Sequence, residues 1–190
     1  DDVSATIEAP ASAGIDGADP LGDEAVIVAL GCNDKGAWPD CRMALEAAVA
    51  RFEDEGITVI ARSGWWASKA WPDPEDPPFL NGVVAVSTDL DPHGVMAALA
   101  RIEQAFGRSR RALNAPRTLD LDLIAYGRET GDCDGLILPH PRAADRAFVM
   151  RPLAEIAPDW RHPVSDQTAA MLAKSATVGA DASLASPAGR

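Results

Sequence analysis

Apolar residues along this chain follow two rhythms, one suited to strands and one to helices. Residues 25–30 form an unbroken aliphatic run, which reads as a buried strand. After Asp40, the residues Leu45, Val49 and Phe52 recur at i, i+4 and i+7. That spacing predicts a helix capped by Asp40 and ending before Gly56. Residues 57–60 open a second strand heading towards Trp66. A loop with Pro72, Pro74, Pro77 and Pro78 follows, and residues 80–86 make a third strand. Asp91 and Pro92 start a second helix whose apolar stripe is Val95, Leu99, Ile102 and Phe106, with Gly107 as its stop. Residues 119–126 set Leu119, Leu121 and Leu123 against Asp120, Asp122 and Ile124, the alternation of a fourth strand. The order β-α-β-β-α-β predicts an α+β fold of ferredoxin-like type, an antiparallel sheet covered by helices. Residues 153–157 and 168–174 suggest short accessory helices.

Composition limits the possibilities. A length of 190 residues with 47% hydrophobic content suits one domain with a substantial core. Residues 1–24 carry seven acids and no base, and are expected to be a disordered acidic tail; residues 177–190 are expected to be a flexible C-terminal tail. The apolar runs are too short to cross a bilayer and no signal-peptide pattern opens the sequence, so no membrane partner is expected. Net charge −12 argues against a nucleic-acid partner. Cys32, Cys41 and Cys133 form no CxxC motif, and this usage fits a reducing cytoplasm with the thiols acting as small apolar residues.

The charge is uneven. Residues 101–117 hold five arginines against the single acid Glu103, a setting for a small, highly charged anion. Just after them comes Asp120-Leu121-Asp122. Strand side chains alternate, so the two carboxylates share a face ~7 Å apart, and hard oxygen donors at that spacing can bridge Mg²⁺. A solvent-facing acidic pair is the plain alternative, but the neighbouring Arg108, Arg110, Arg111 and Arg117 favour a nucleoside triphosphate. His140, between two prolines, can bond a phosphate or shape a turn, and Arg142 and Arg146 can add to an anion site. Asn81 offers both donor and acceptor to a heterocycle's amide-like edge, and Phe79 can stack on a ring or belong to the core.

Several ordered segments carry a resemblance. They are Gly31-Cys32-Asn33, Phe79-Leu80-Asn81, Arg101-Ile102-Glu103, Gly107-Arg108-Ser109-Arg110, Pro116-Arg117-Thr118-Leu119-Asp120-Leu121-Asp122-Leu123-Ile124, Pro139-His140-Pro141-Arg142 and the run from Arg151 to Pro158. Together, over residues 25–175, they resemble the 6-hydroxymethyl-7,8-dihydropterin pyrophosphokinases of folate biosynthesis. The resemblance implies a pyrophosphokinase domain over 25–176, monomeric and cytoplasmic, with ATP and the pterin as its small-molecule partners. Its reaction would move the β,γ-pyrophosphoryl group of ATP onto the pterin's hydroxymethyl oxygen and release AMP. It implies two Mg²⁺ ions on Asp120 and Asp122, with Arg108, Arg110 and Arg117 as further catalytic residues. Glu103, Arg108, Arg117, His140 and Arg146 would lie on the ATP side. Ser68, Trp71, Phe79, Asn81 and Phe148 would hold the pterin, the two phenylalanines sandwiching its ring. Departures from the family pattern are Cys32 for a usual Ser, Ser68-Lys69-Ala70 for a usual Thr-Pro turn, Ala100 for a polar residue and Asn114 for an aromatic one.

Overall fold

The computed structural model of the chain describes residues 21–34, 36–70, 73–107 and 118–186. Its strands are β1 (Val26–Cys32), β2 (Ile57–Arg62), β3 (Trp65–Ser68), β4 (Phe79–Thr88), β5 (Asp120–Tyr126), β6 (Gly131–Cys133), β7 (Leu136–Leu138) and β8 (Ser183–Ser186). Its helices are α1 (Cys41–Ala50), α2 (Pro92–Ala105), α3 (Ala147–Ile156) and α4 (Ala169–Ser175). The main sheet runs β5-β1-β4-β3-β8, with β2 beside the far end of β4, and every pairing is antiparallel. This is the expected ferredoxin-like core with additions; β6 and β7 form a separate hairpin.

The two predicted caps are in place. Asp40 accepts from the Met43 N–H at 2.8 Å and Asp91 from the Gly94 N–H at 2.7 Å. Each satisfies a donor the first helical turn cannot, a contribution of about 1 kcal/mol. The apolar stripes of α1 and α2 cover one face of the sheet, where Leu45, Phe52, Leu99 and Ile102 meet Val28, Leu30, Leu121 and Leu123. On the other face α3, α4 and the segment between them bring Met150, Leu153, Leu172 and Trp160 against Ile27, Val83 and Ile124. Fully burying one such side chain contributes roughly 1.5–3 kcal/mol. Among the described residues no helix is long and apolar enough to cross a membrane.

Several expectations are corrected. β1 runs two residues beyond the expected strand, through Gly31 and Cys32, because both pair with β4. That extension brings Cys32 to the first residue of α1, and Cys32 and Cys41 form a disulfide with their Cα atoms 5.7 Å apart, not two separate thiols. The second strand is split into β2 and β3 at Ser63, whose Oγ accepts from the Val83 N–H at 2.9 Å and donates to the Gly64 carbonyl. α3 starts six residues earlier than expected and runs on through Pro152. Neither tail is wholly structureless. Leu21 is buried in the second core, Asp23 accepts from the Arg161 N–H at 3.0 Å, and β8 adds a strand beside β3.

One tight joint fixes β3 against β4. Trp65 is buried and donates from Nε1 to Glu46 at 2.9 Å, while the Arg62 guanidinium lies 5.6 Å from its ring. Burial alone would raise the Glu46 carboxyl, but hydrogen bonds from Arg62 and Trp65 outweigh it and hold the group below its ordinary value. A Cβ on Gly82 would lie 2.6 Å from two atoms of the held Trp65 ring. Gly82→Ala is therefore expected to lower stability by about 1–3 kcal/mol, read as a lower urea midpoint at unchanged slope.

His162 gives a pH dependence of known sign. Its Nδ1 accepts from the Val164 and Ser165 N–H groups, and burial, reinforced by the Arg128 charge, pushes its pKa below the ordinary 6.5. The unfolded chain then takes up a proton near pH 6.5 that the folded chain refuses, so stability falls as pH drops below that point. His162→Asn keeps an acceptor without titrating, and denaturant unfolding at pH 7.5 and 5.5 should show a smaller loss for the variant than for the wild type.

Candidate active site

The site is set by strand register. Gly31 of β1 pairs with Asp120 of β5 on one side and Asn81 of β4 on the other; Ala29 pairs likewise with Asp122 and Val83. With strands about 4.8 Å apart, the acids and Asn81 stand on either side of a floor one strand wide. The floor residues are small for a reason visible at Gly31, where a Cβ would lie 2.6 Å from the Asn81 Oδ1. Asn81 therefore leans over β1, towards the aspartates.

The beginning of α3 forms the opposite wall. Arg146, in extended conformation before the helix, lines one recess of about 210 Å³ together with Asp120, Asp122, Asn81 and Phe148. A connected recess of about 260 Å³ is lined by Gly31, Asn33, Phe79, Asn81, Asp120 and Phe148. The Arg146 guanidinium lies 5.8 Å from the Phe148 ring, a cation–π contact that orients both. Phe79 and Phe148 also line a third recess of about 680 Å³ with Ser68, which pairs with Phe79 across β3 and β4.

His140 joins this group from the segment after β7. Its backbone N–H donates to the Ile124 carbonyl at 2.8 Å, holding it beside β5. The Arg142 N–H donates to Nδ1 at 3.2 Å, so the neutral ring carries its proton on Nε2. Burial pushes the His140 pKa down; the Asp122 charge opposes this, Arg146 and Arg142 reinforce it, and Asp120 opposes it more weakly. The ring is thus electrostatically in touch with the acids and with Arg146.

Glu103 is placed differently. It is buried on α2, and its Oε1 accepts from the Leu121 N–H at 3.3 Å, on the open edge of β5 between the two aspartates. It does not line the recesses described above. Trp71, Arg108, Arg110 and Arg117 lie outside the described residues. Sequence reasoning missed two contributors. One is the small-residue floor of β1, which the aliphatic run of residues 25–30 marks only as a strand. The other is the wall of Val178, Gly179 and Asp181 in the third recess, for which no periodicity gives a signal.

Two carboxylates, a guanidinium, a neutral imidazole N–H donor and an amide thus converge beside an aromatic slot, as the resemblance implies. The protein-family model described as 7,8-dihydro-6-hydroxymethylpterin-pyrophosphokinase (HPPK) matches residues 27–158. A 2-amino-4-hydroxy-6-hydroxymethyldihydropteridine pyrophosphokinase of Synechocystis sp. is 45% identical over 65% of this chain and 64% of its own length. One of Methylorubrum extorquens is 46% identical over 55% of this chain and 66% of its own length. One of Pseudomonas aeruginosa is 40% identical over 73% of this chain and 83% of its own length. The alignment thus spans slightly less than two thirds of the first two relatives. Among solved structures, the wild-type HPPK-DHPS of Plasmodium falciparum with pteroate superposes with a TM-score of 0.61 at 13% identity, over 79% of this chain and 44% of that one. That likeness bears on the fold, and the family match takes in both aspartates, Asn81, His140 and Phe148. The chain belongs to the 7,8-dihydro-6-hydroxymethylpterin-pyrophosphokinase family.

Proposed function

We propose that this chain transfers the β,γ-pyrophosphoryl group of ATP to the hydroxymethyl oxygen of 6-hydroxymethyl-7,8-dihydropterin, giving the pterin diphosphate and AMP as a step of folate biosynthesis. The observation that carries this reading is the recess shared by Asp120, Asp122, Arg146, Asn81 and Phe148. It sets a polyphosphate-binding side one strand away from a ring-binding side. A monomer working in the cytoplasm belongs to the same reading.

The aspartates fit Mg²⁺. Among the described residues no group of three acidic, His or Cys side chains converges as a closed metal cage. A pair of carboxylates is what remains suitable for a cation that keeps water and takes its other ligands from phosphate oxygens. When bound there, two ions would neutralise the triphosphate and polarise its phosphorus centres.

The protein's own groups do the rest. Arg146 offers bidentate donors to phosphate oxygens while its stack on Phe148 limits its rotamers. His140 supplies an Nε2–H at neutral pH, since its pKa lies below the ordinary range. Arg108, Arg110 and Arg117 complete the phosphate grip in this proposal. Asn81 pairs with the amide-like edge of the pterin, Phe79 and Phe148 hold its faces, and Ser68 and Trp71 complete the pterin-binding set in this proposal. Glu103 acts at one remove, accepting a buried edge N–H of β5 and so helping to hold the aspartate strand in place. Phosphoryl-type transfer needs little covalent help, so alignment and charge neutralisation are the catalytic means.

The test is direct. With ATP, Mg²⁺ and 6-hydroxymethyl-7,8-dihydropterin, AMP and the pterin diphosphate should appear in equal amounts; ADP in place of AMP would overturn the reading. Asp120→Asn and Asp122→Asn should each lower turnover on the order of 10²-fold or more, with the melting temperature little changed.

A further inference from the structure

The family match ends at residue 158, yet the described chain continues to Ser186 and returns to the site. Thr177 donates its backbone N–H and its hydroxyl to Asp145 at 2.9 Å each, and the Ala147 N–H donates to the Val178 carbonyl at 2.8 Å. Arg151 then donates to the Ala182 carbonyl, and β8 pairs with β3. Residues 177–182 are therefore tied down at both ends, across the first two turns of α3.

Two residues within this strap touch the parts of the ring slot that other elements supply. Gly179, at φ +69°, packs so closely on Phe148 that a Cβ would lie 2.6 Å from the ring's Cδ1 and 3.4 Å from Cε1. Asp181 accepts the Lys69 N–H on its Oδ2 at 2.7 Å, fixing the backbone next to Ser68. Val178, Gly179 and Asp181 line the third recess opposite Ser68, Lys69 and Ala70.

We infer that the strap 177–182 is a wall of the ring-binding slot, with Gly179 and Asp181 as positioning residues for the flat bicyclic substrate. Gly179 sets where the Phe148 ring lies, and Asp181 sets the width of the slot by holding the Lys69 backbone. Both contacts lie at the recess that the strap helps to line. This inference rests on the proposed reaction.

Steady-state kinetics with each substrate varied in turn, together with fluorescence titration of the pterin, tests it. Gly179→Ala adds a methyl group where the ring now lies, and should raise the pterin KM and Kd on the order of tenfold or more while the KM for ATP stays within about twofold. Asp181→Ala should move the same constants in the same direction by about threefold or more, and Asp181→Asn, which keeps an acceptor oxygen, should restore them. Should Gly179→Ala not fold, the two Asp181 variants carry the comparison. Unchanged pterin constants in the variants, or losses in every parameter that track the melting temperature, would overturn the inference while leaving the reaction standing. A wild-type chain that releases no AMP would overturn the reaction, and the inference with it.

Discussion

Strand β1 sits between β4 and β5, and almost everything functional depends on its register. Its pairing brings Asp120, Gly31 and Asn81 into one row and Asp122, Ala29 and Val83 into the next. Because side chains alternate with a period of two, the neighbouring row of Leu121, Leu30 and Gly82 faces the other side, and a slip of one residue in β5 would put Leu121 where Asp120 stands. That slip is opposed by the buried leucines themselves, which pack under α1 and α2. The hydrophobic core and the reactive face are therefore two sides of one constraint. Burying Leu30 and Leu121 on one side obliges the acids to stand on the other.

The same geometry explains why the acids can stay there. β5 is an edge strand, so Asp120 and Asp122 are half-buried beside open space rather than enclosed. Desolvating two like charges is costly in a closed core and far less so at an edge next to Arg146 and solvent. On that edge Glu103 of α2 accepts the Leu121 N–H. His140, kept neutral by burial and by Arg146 and Arg142, adds a donor without adding positive charge to the acid pair.

Much of this was legible in the sequence because it follows from local rules. The alternation of residues 119–126, the Asp40 and Asp91 caps and the stripe of α2 each need only nearby residues, and each is where they place it, while α1 ends at Ala50, short of the Phe52 its stripe implied. What escaped depends on distant partners. Arg151-Pro152 reads locally as a helix break, yet α3 runs through it because Val149, Met150 and Leu153 are buried against the sheet. Residues 177–186 have too few large apolar side chains to announce an element, and are held by Asp145, Arg151 and β3. Cys32 and Cys41 looked like separate small apolar residues until β1 was seen to run on through Cys32. Within the site, Asp120, Asp122, Asn81, Phe79, Phe148 and Arg146 were legible as types and come together as a group; the small-residue floor of Ala29 and Gly31 was legible only as part of a strand.

The first turn of α3 is where the separate parts become one site. Arg146 is the last extended residue and Phe148 the second helical one, so the chain changes direction between them. Arg146 consequently faces the aspartates while Phe148 spans the recesses on the ring side, and the cation–π contact between them limits how far either can swing. Two residues of one turn thus set the spacing between a charged half and an aromatic half. The turn is rigid because Met150 and Leu153 anchor α3 in the second core and the strap 177–182 presses on it from outside. The proposed reaction, which depends on alignment more than on covalent chemistry, would need its two substrate halves fixed by one stiff element. In that proposal the element is the start of α3, packed on the second core on one side and bonded to the strap at Val178 on the other.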